Sequence, residues 1–455
     1  MSFDGASGKI ISSVICHLGY FVLNAIHRHH FTILLSGFFF LLAFGKSSTL
    51  PLLLMAMIGA FLLLKEIRTG KVSSDTKWLI LSGSCILIPA GFSLVTSIDI
   101  PRSLEFIATY PLYFLAAYFI YFRLKEGIDI WPSIKTISSL ILIWGALAIW
   151  QYLDPSNPFG PGGSHNQGIF TRNNPFTDGS LMLGFILGTL FPFITFSLWQ
   201  TKYYKTSILI GMLIVILCYI SGTRASWVSI AFTLFMVPII FFSNGHKLKP
   251  IYLLGILIGL LFFSLTLSSL YRLPGLSQRI DATLLVFKEP TIENLDHSLS
   301  GRLDLWIDGF NIGVSSPIAG TGVNNFRYAQ PMLEKPAGIR WIHKINDPKI
   351  PHELEGAAHT HQLFFDAWSG AGAIGVLGLM LFYIRLFHRT RESIKTGDLV
   401  AIGAMVALWA GFLPFNTQNN LYGSWTTAWF WVWCGIAIGL TSRSVNNTTE
   451  ELHST

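Results

Sequence analysis

An all-α membrane protein, a polytopic bundle of about twelve transmembrane helices, is what the sequence predicts. Three observations predict it. Only 12% of the residues are charged and 51% are hydrophobic, where soluble domains carry about 25% charge. The apolar residues fall in repeated runs of about 20, the length that crosses a hydrocarbon core of ~30 Å. The runs are continuous, and this excludes a transmembrane barrel, whose strands alternate.

Taken in order, residues 1–29 form an N-terminal segment on the inner side or at the interface. Ile10–Ile26 is apolar but broken by Cys16, His17 and Asn24. It reads as an interfacial helix or as a thirteenth span. Met1–Gly8 is polar and acidic and lacks the basic start of a cleavable signal. Residues 30–271 hold nine spans, at 30–45, 49–65, 78–97, 105–122, 136–153, 179–199, 206–222, 225–243 and 251–271. Residues 272–361 form one long polar loop subdomain. Residues 362–441 hold three further spans, at 362–384, 399–415 and 421–441. Residues 442–455, rich in Asn, Thr and Glu, read as a disordered inner tail.

Orientation follows from Lys and Arg, which collect on the inner side. With the N-terminus inside, the inner segments after the first span hold sixteen, among them Lys65, Arg123, Lys202, Arg385, Arg389 and Arg443. The five short outer segments hold four: Lys46, Arg102, Arg172 and Arg224. Both termini are therefore expected in the cytoplasm, with both large polar loops outside. The net charge of +7 is explained by these inner anchors, so no nucleic acid is implied. Cys16, Cys85, Cys218 and Cys434 all lie in apolar segments, so neither a disulfide framework nor a cysteine zinc site is expected.

The first large outer loop, Asp154–Asp178, has turn composition. Its Arg172 reads as a ligand contact or as a solvated loop residue. Arg224 sits between two spans with almost no loop. It is a snorkelling residue or a charge aimed at a cavity. The long loop balances nine basic against ten acidic residues. Within it Ser300–Phe310 reads as a short helix, with Ser300 as N-cap and Leu303, Trp306, Ile307 and Phe310 as its buried face. Arg302 lies in its first turn. The aliphatic and aromatic residues of the loop predict a cap packed on the bundle.

His361 marks the return to the membrane. Histidine can take a proton near neutral pH, and Arg224 and Arg302 can grip phosphate oxygens bidentately. A base beside two fixed cations suits transfer from a diphosphate leaving group to a hydroxyl. By itself such a histidine is more often structural. Zinc on His359 and His361 is disfavoured, because i, i+2 does not put both on one helix face.

Several short motifs share an order and a spacing: Thr223-Arg224-Ala225; Gly301-Arg302-Leu303 with Trp306 and Gly309; Pro317 through Gly320-Thr321-Gly322; and His359-Thr360-His361-Gln362, followed by Asp366, Gly372 and Gly375. In these the chain resembles the O-antigen ligase and O-antigen polymerase superfamily of bacterial envelope glycosyltransferases, ligase branch first. The resemblance implies an inner-membrane enzyme without metal or cofactor. Its implied donor is a glycan on undecaprenyl diphosphate and its implied acceptor a sugar hydroxyl of lipid A–core. It implies His361 as general base, Arg224 and Arg302 as donor diphosphate ligands, and His359, Gln362 and Arg172 in support. Gln362 stands where relatives commonly have Asn. The polymerase branch, a protein O-oligosaccharyltransferase and a lipid-linked glycan flippase are the rivals. The flippase is disfavoured because the chain shows no internal repeat.

Overall fold

The computed structural model describes residues 29–42, 48–70, 72–153, 183–221, 223–243, 276–299, 301–333, 356–415 and 420–454. Among these residues every regular element is helical. The helices are α1 (His29–Leu41), α2 (Thr49–Arg68), α3 (Ser74–Phe92), α4 (Ile100–Lys125), α5 (Trp131–Leu153), α6 (Leu183–Gln200), α7 (Tyr204–Ile220), α8 (Arg224–Ser243), α9 (Leu276–Lys288), α10 (Ile292–Ser298), α11 (Arg302–Ser315), α12 (Leu363–Thr396), α13 (Leu399–Gly411) and α14 (Ser424–Ser454).

Among the described residues, six helical stretches are long and apolar enough to cross a membrane: Thr49–Arg68, Ser74–Thr96, Ile100–Lys125, Trp131–Trp150, Leu183–Gln200 and Leu363–Thr396. Four shorter apolar helices coincide with further expected spans: α1, Tyr204–Tyr219, Arg224–Ile240 and α13. The expected ninth span, 251–271, lies outside the described residues, as do residues 1–28, Asp154–Asp178 and Ser300.

The centre of the bundle is α4, packed between α2 and α14. Tyr110, Tyr118, Phe119 and Tyr121 of α4 are fully buried, as are Trp429, Trp431 and Trp433 of α14. Their rings meet edge to face, as for Tyr110 and Trp431 at 5.8 Å, an arrangement that ring quadrupoles favour. At one end of the bundle a polar network ties five helices together. Glu66 of α2 accepts from Tyr118 of α4 and Thr76 of α3. Arg389 of α12 pairs with Asp75 of α3 and donates to Ser442 of α14.

Three expectations need correction. The chain beyond Arg443 is not an unstructured tail: α14 runs on to Ser454, with Arg443 donating to the Ile128 carbonyl and Ser444 to Asp398. Those partners come from other elements and do not show in the local composition. Likewise α12 does not stop near residue 384 but extends to Thr396, where Gly397, at φ 69°, ends it. The buried face of α11 is Leu305, Asp308, Gly309, Ile312 and Gly313, whereas Ile307 and Phe310 are 48% and 54% exposed. The small side won because α12 approaches there. A Cβ at Gly313 would occupy the indole of Trp368.

The long loop penetrates the bundle. Gly372, at φ 61° and ψ −154°, breaks α12, and residues Pro317–Gly322 fill the break. Thr321 and Gly322 donate backbone N–H bonds to the carbonyls of Ser369 and Gly370 at 2.9 and 3.0 Å. In return Ala373 and Ile374 donate to Pro317 and Ile318 at 2.8 and 3.3 Å. A helix broken at membrane depth needs such replacement partners, since no water is there to supply them. Asn325 locks the same loop onto the corner between α3 and α4, donating to Ser97 Oγ at 2.7 Å and to the Asp99 carbonyl at 3.2 Å.

Candidate functional site

The segment Gly356–Gln362 joins this docked loop to α12, and each of its ends is held. Gly356 N–H donates to the Arg327 carbonyl at 2.8 Å. Ala357 N–H donates to the Gln330 side chain, whose amide donates in turn to Asp308 at 2.7 Å. At the far end Gln362 is the N-cap of α12. Its Oε1 accepts from Phe365 N–H at 2.8 Å and its Nε2 donates to the Pro414 carbonyl at 2.6 Å. Both halves of the amide are thereby used in structure. That is the geometry of a tether between α12 and the end of α13.

Thr360, fully buried between the two histidines, is held by Asp366 from the first turn of α12. Asp366 Oδ1 accepts from Thr360 N–H at 3.0 Å and from its hydroxyl at 2.6 Å, while Oδ2 accepts from Leu421 N–H at 3.0 Å. One carboxylate therefore joins the histidine segment to the loop that precedes α14. Asp366→Ala strands two buried N–H donors, each at about 1–3 kcal/mol. A melt in detergent is expected to drop by several degrees, with less loss in Asp366→Asn, which keeps one acceptor. Equal melts for the alanine variant and wild type would remove the clamp.

His361 has a left-handed backbone, φ 59°, unusual for a residue with a Cβ. This turn brings the His359 and His361 rings to 4.0 Å between centroids, tilted by 45°. On a helix, residues two apart point to different faces; these two meet because the segment is not helical. Among the described residues, no group of three or more His, Cys, Asp or Glu forms a metal-holding cluster.

Arg302 is the first residue of α11. Ser300, the expected cap, lies outside the described residues. Gly301, at φ 74°, takes the N-cap position without a side-chain bond, and Asp296 Oδ1 accepts from Leu303 N–H at 3.0 Å. The start of the helix is thus set by the preceding helix. Arg302 and Arg327 both act on His359. Burial of the ring first, then the charges of Arg327 and Arg302, lower its pKa to about 4. Arg327 was not singled out by sequence. Its only signal was a place just after Gly320-Thr321-Gly322, in the turn Phe326–Ala329.

Because the folded pKa lies below the ordinary 6.5, the unfolded chain binds the extra proton between these values. The stabilising contribution is complete above about pH 6.5 and is lost as pH falls towards 4. The melting temperature is expected to fall across that window, and to fall less in His359→Gln. Identical slopes would contradict it.

Arg224 is the first residue of α8. One turn on, Ser229 Oγ donates to the Ala410 carbonyl of α13 at 2.6 Å. From there the chain runs to Pro414, which holds Gln362 beside His361. Arg224 therefore lies at the same end of the bundle as the histidines. Arg172 lies outside the described residues.

Fold and site together define an all-helical membrane protein in which histidines and arginines gather where a polar loop meets a helix end. Residues 208–383 match the family model described as O-antigen ligase. The match supports the resemblance to the O-antigen ligase and polymerase superfamily, and it covers Arg224, Arg302, Arg327, His359 and His361. With the apolar helices, it points to a protein of the bacterial inner membrane. No curated protein is significantly similar to the chain.

Proposed function

We propose that this protein is an O-antigen ligase-like glycosyltransferase. It moves a glycan from undecaprenyl diphosphate to a sugar hydroxyl of lipid A–core, with inversion and without a metal. The observation that carries the reading is the gathering of His359 and His361 with Arg302 and Arg327, at the end of the bundle where α8 presents Arg224. In this reading the site faces the periplasm, as the Lys and Arg distribution supports, and residues 272–361 form the periplasmic subdomain. His361 takes the proton of the acceptor hydroxyl. Arg224 and Arg302 hold the diphosphate as negative charge develops on it, the kind of stabilisation that often contributes most to such a barrier. His359, kept neutral by its burial and then by the charges of Arg327 and Arg302, packs on the His361 ring.

The test is transfer by purified protein given lipid-diphosphate glycan and lipid A–core, without ATP. Glycosidic product is expected with or without EDTA. Loss of product on chelation would overturn the metal-free mechanism, and absence of any product would favour a flippase. Arg224→Lys is expected to transfer at least about tenfold more slowly, since a point charge cannot reproduce a planar fork. Gene deletion separates the two branches. Polymer accumulating on the carrier with none on the core marks a ligase, and a single repeat unit on the core marks a polymerase.

A further inference from the structure

α11 carries a second apolar stripe that no part of the described protein covers. Ile307, Phe310 and Val314 recur at helical spacing, and Ile318 continues them past the C-terminus. They are 48%, 54%, 52% and 70% exposed. Three exposed apolar side chains on one helix face, with a fourth exposed in the turn that follows, call for a partner.

The contacts of α11 fix its depth beside α12. The two helices run in the same direction. Trp306 stacks on Phe365 at 6.1 Å. Trp368 Nε1 donates to the Phe310 carbonyl at 3.0 Å, and Pro317 and Ile318 accept from Ala373 and Ile374. The lipid-type surface of α12 is its exposed stripe of Leu377, Met380, Leu381, Ile384 and Phe387, which ends inside the basic run Arg385–Lys395. About 20 residues span the hydrocarbon core, so counting back from Phe387 puts its other boundary near Ala367. Trp368 then sits at the interface, where tryptophan concentrates. Ala373 and Ile374 lie about 10 Å further in, at 1.5 Å per residue. Ile318 is bonded at that level, and Phe310 at the level of Trp368.

We infer that the Phe310–Val314 edge of α11 and Ile318 in the turn after it form a membrane-inserted surface that faces the acyl chains of the leaflet on the histidine side, with Ile307 at the interface. The long loop is therefore not wholly outside the bilayer: its middle re-enters alongside α12. Continuity with the α12 stripe is what selects lipid as the occupant. Arg302, eight residues before Phe310 on the same helix, then lies about 12 Å outside the hydrocarbon boundary. The inference rests on α12 as a membrane span and not on the transferase reading.

The experiment uses wild-type protein in nanodiscs containing phosphatidylcholine with a mid-chain diazirine. After irradiation, acyl-chain adducts are expected within 310–318 as well as on Leu377–Phe387. Adducts on α12 with none on 310–318 would overturn the inference. A second arm compares Asp304→Cys with Ile318→Cys in an aqueous maleimide assay, scored as the increment over wild type. Ile318→Cys is expected to react at least tenfold more slowly. Equal rates in purified protein, with protection only in native membranes, would assign the strip to a protein partner and reject lipid.

Discussion

Gly372→Ala is expected to remove most of the protein from the folded membrane fraction. The position combines φ 61° with ψ −154°, a region open essentially to glycine, where a side chain costs on the order of 1–3 kcal/mol. Its Cβ would also overlap the Ile318 carbonyl. Displacing Ile318 breaks the bonds that replace the interrupted helix, and each backbone group left unpaired in the bilayer costs several kcal/mol. The total exceeds about 4 kcal/mol. Size-exclusion profiles and melts in detergent would measure it, with Gly91→Ala as control. No atom lies within 4 Å of a Cβ at Gly91, so alanine there is expected to be neutral or slightly stabilising. A Gly372→Ala protein that melts like wild type would show that the interlock between 317–322 and α12 does not support the fold.

His361→Asn is expected to lose transfer by about 10²–10⁴-fold, the usual contribution of a general base, while melting like wild type. Asparagine is the better replacement, because the backbone at 361 is left-handed and asparagine tolerates that conformation. His361→Ala is expected to lose the same activity and about 1–2 kcal/mol of stability besides. The pair separates the lost proton acceptor from lost backbone geometry. Near-wild-type transfer by His361→Asn would remove His361 as base and turn attention to its neighbour at 4.0 Å, His359.

Much of the architecture could be read from hydropathy alone. Continuous apolar runs put helices where α1 to α8 and α12 to α14 stand, because a segment surrounded by lipid has to satisfy its own backbone. The short helix beginning at Arg302 was equally legible from its 3–4 spacing. Its buried face was not. Both sides of α11 carry apolar residues, and only the approach of α12 against Gly309 and Gly313 decides which side meets protein. The same limit applied to the cap. Nothing local marks Asp296 as the acceptor for Leu303, since that bond depends on how α10 folds back.

The candidate site divides in a similar way. His359, His361, Arg224 and Arg302 drew notice as ionisable groups close to apolar spans, where charge is costly and needs a reason. Arg327 did not, because it lies in a loop with charge of both signs. Gln362 and Asp366 read as motif members, and the structure gives them mechanical work. One caps α12 and holds α13; the other clamps Thr360 to the loop before α14.

The sequence by itself determined the apolar, helical character of this protein and the small set of polar residues near its spans. Those depend on composition and on spacing along one helix, which are local properties. Tertiary structure alone decided that a loop repairs a broken helix, that two histidines two residues apart face each other, and that the large apolar edge of α11 points away from the protein. Each of these depends on a contact between residues 40 or more apart in the chain, or on a single backbone angle that only the packed neighbours hold in place.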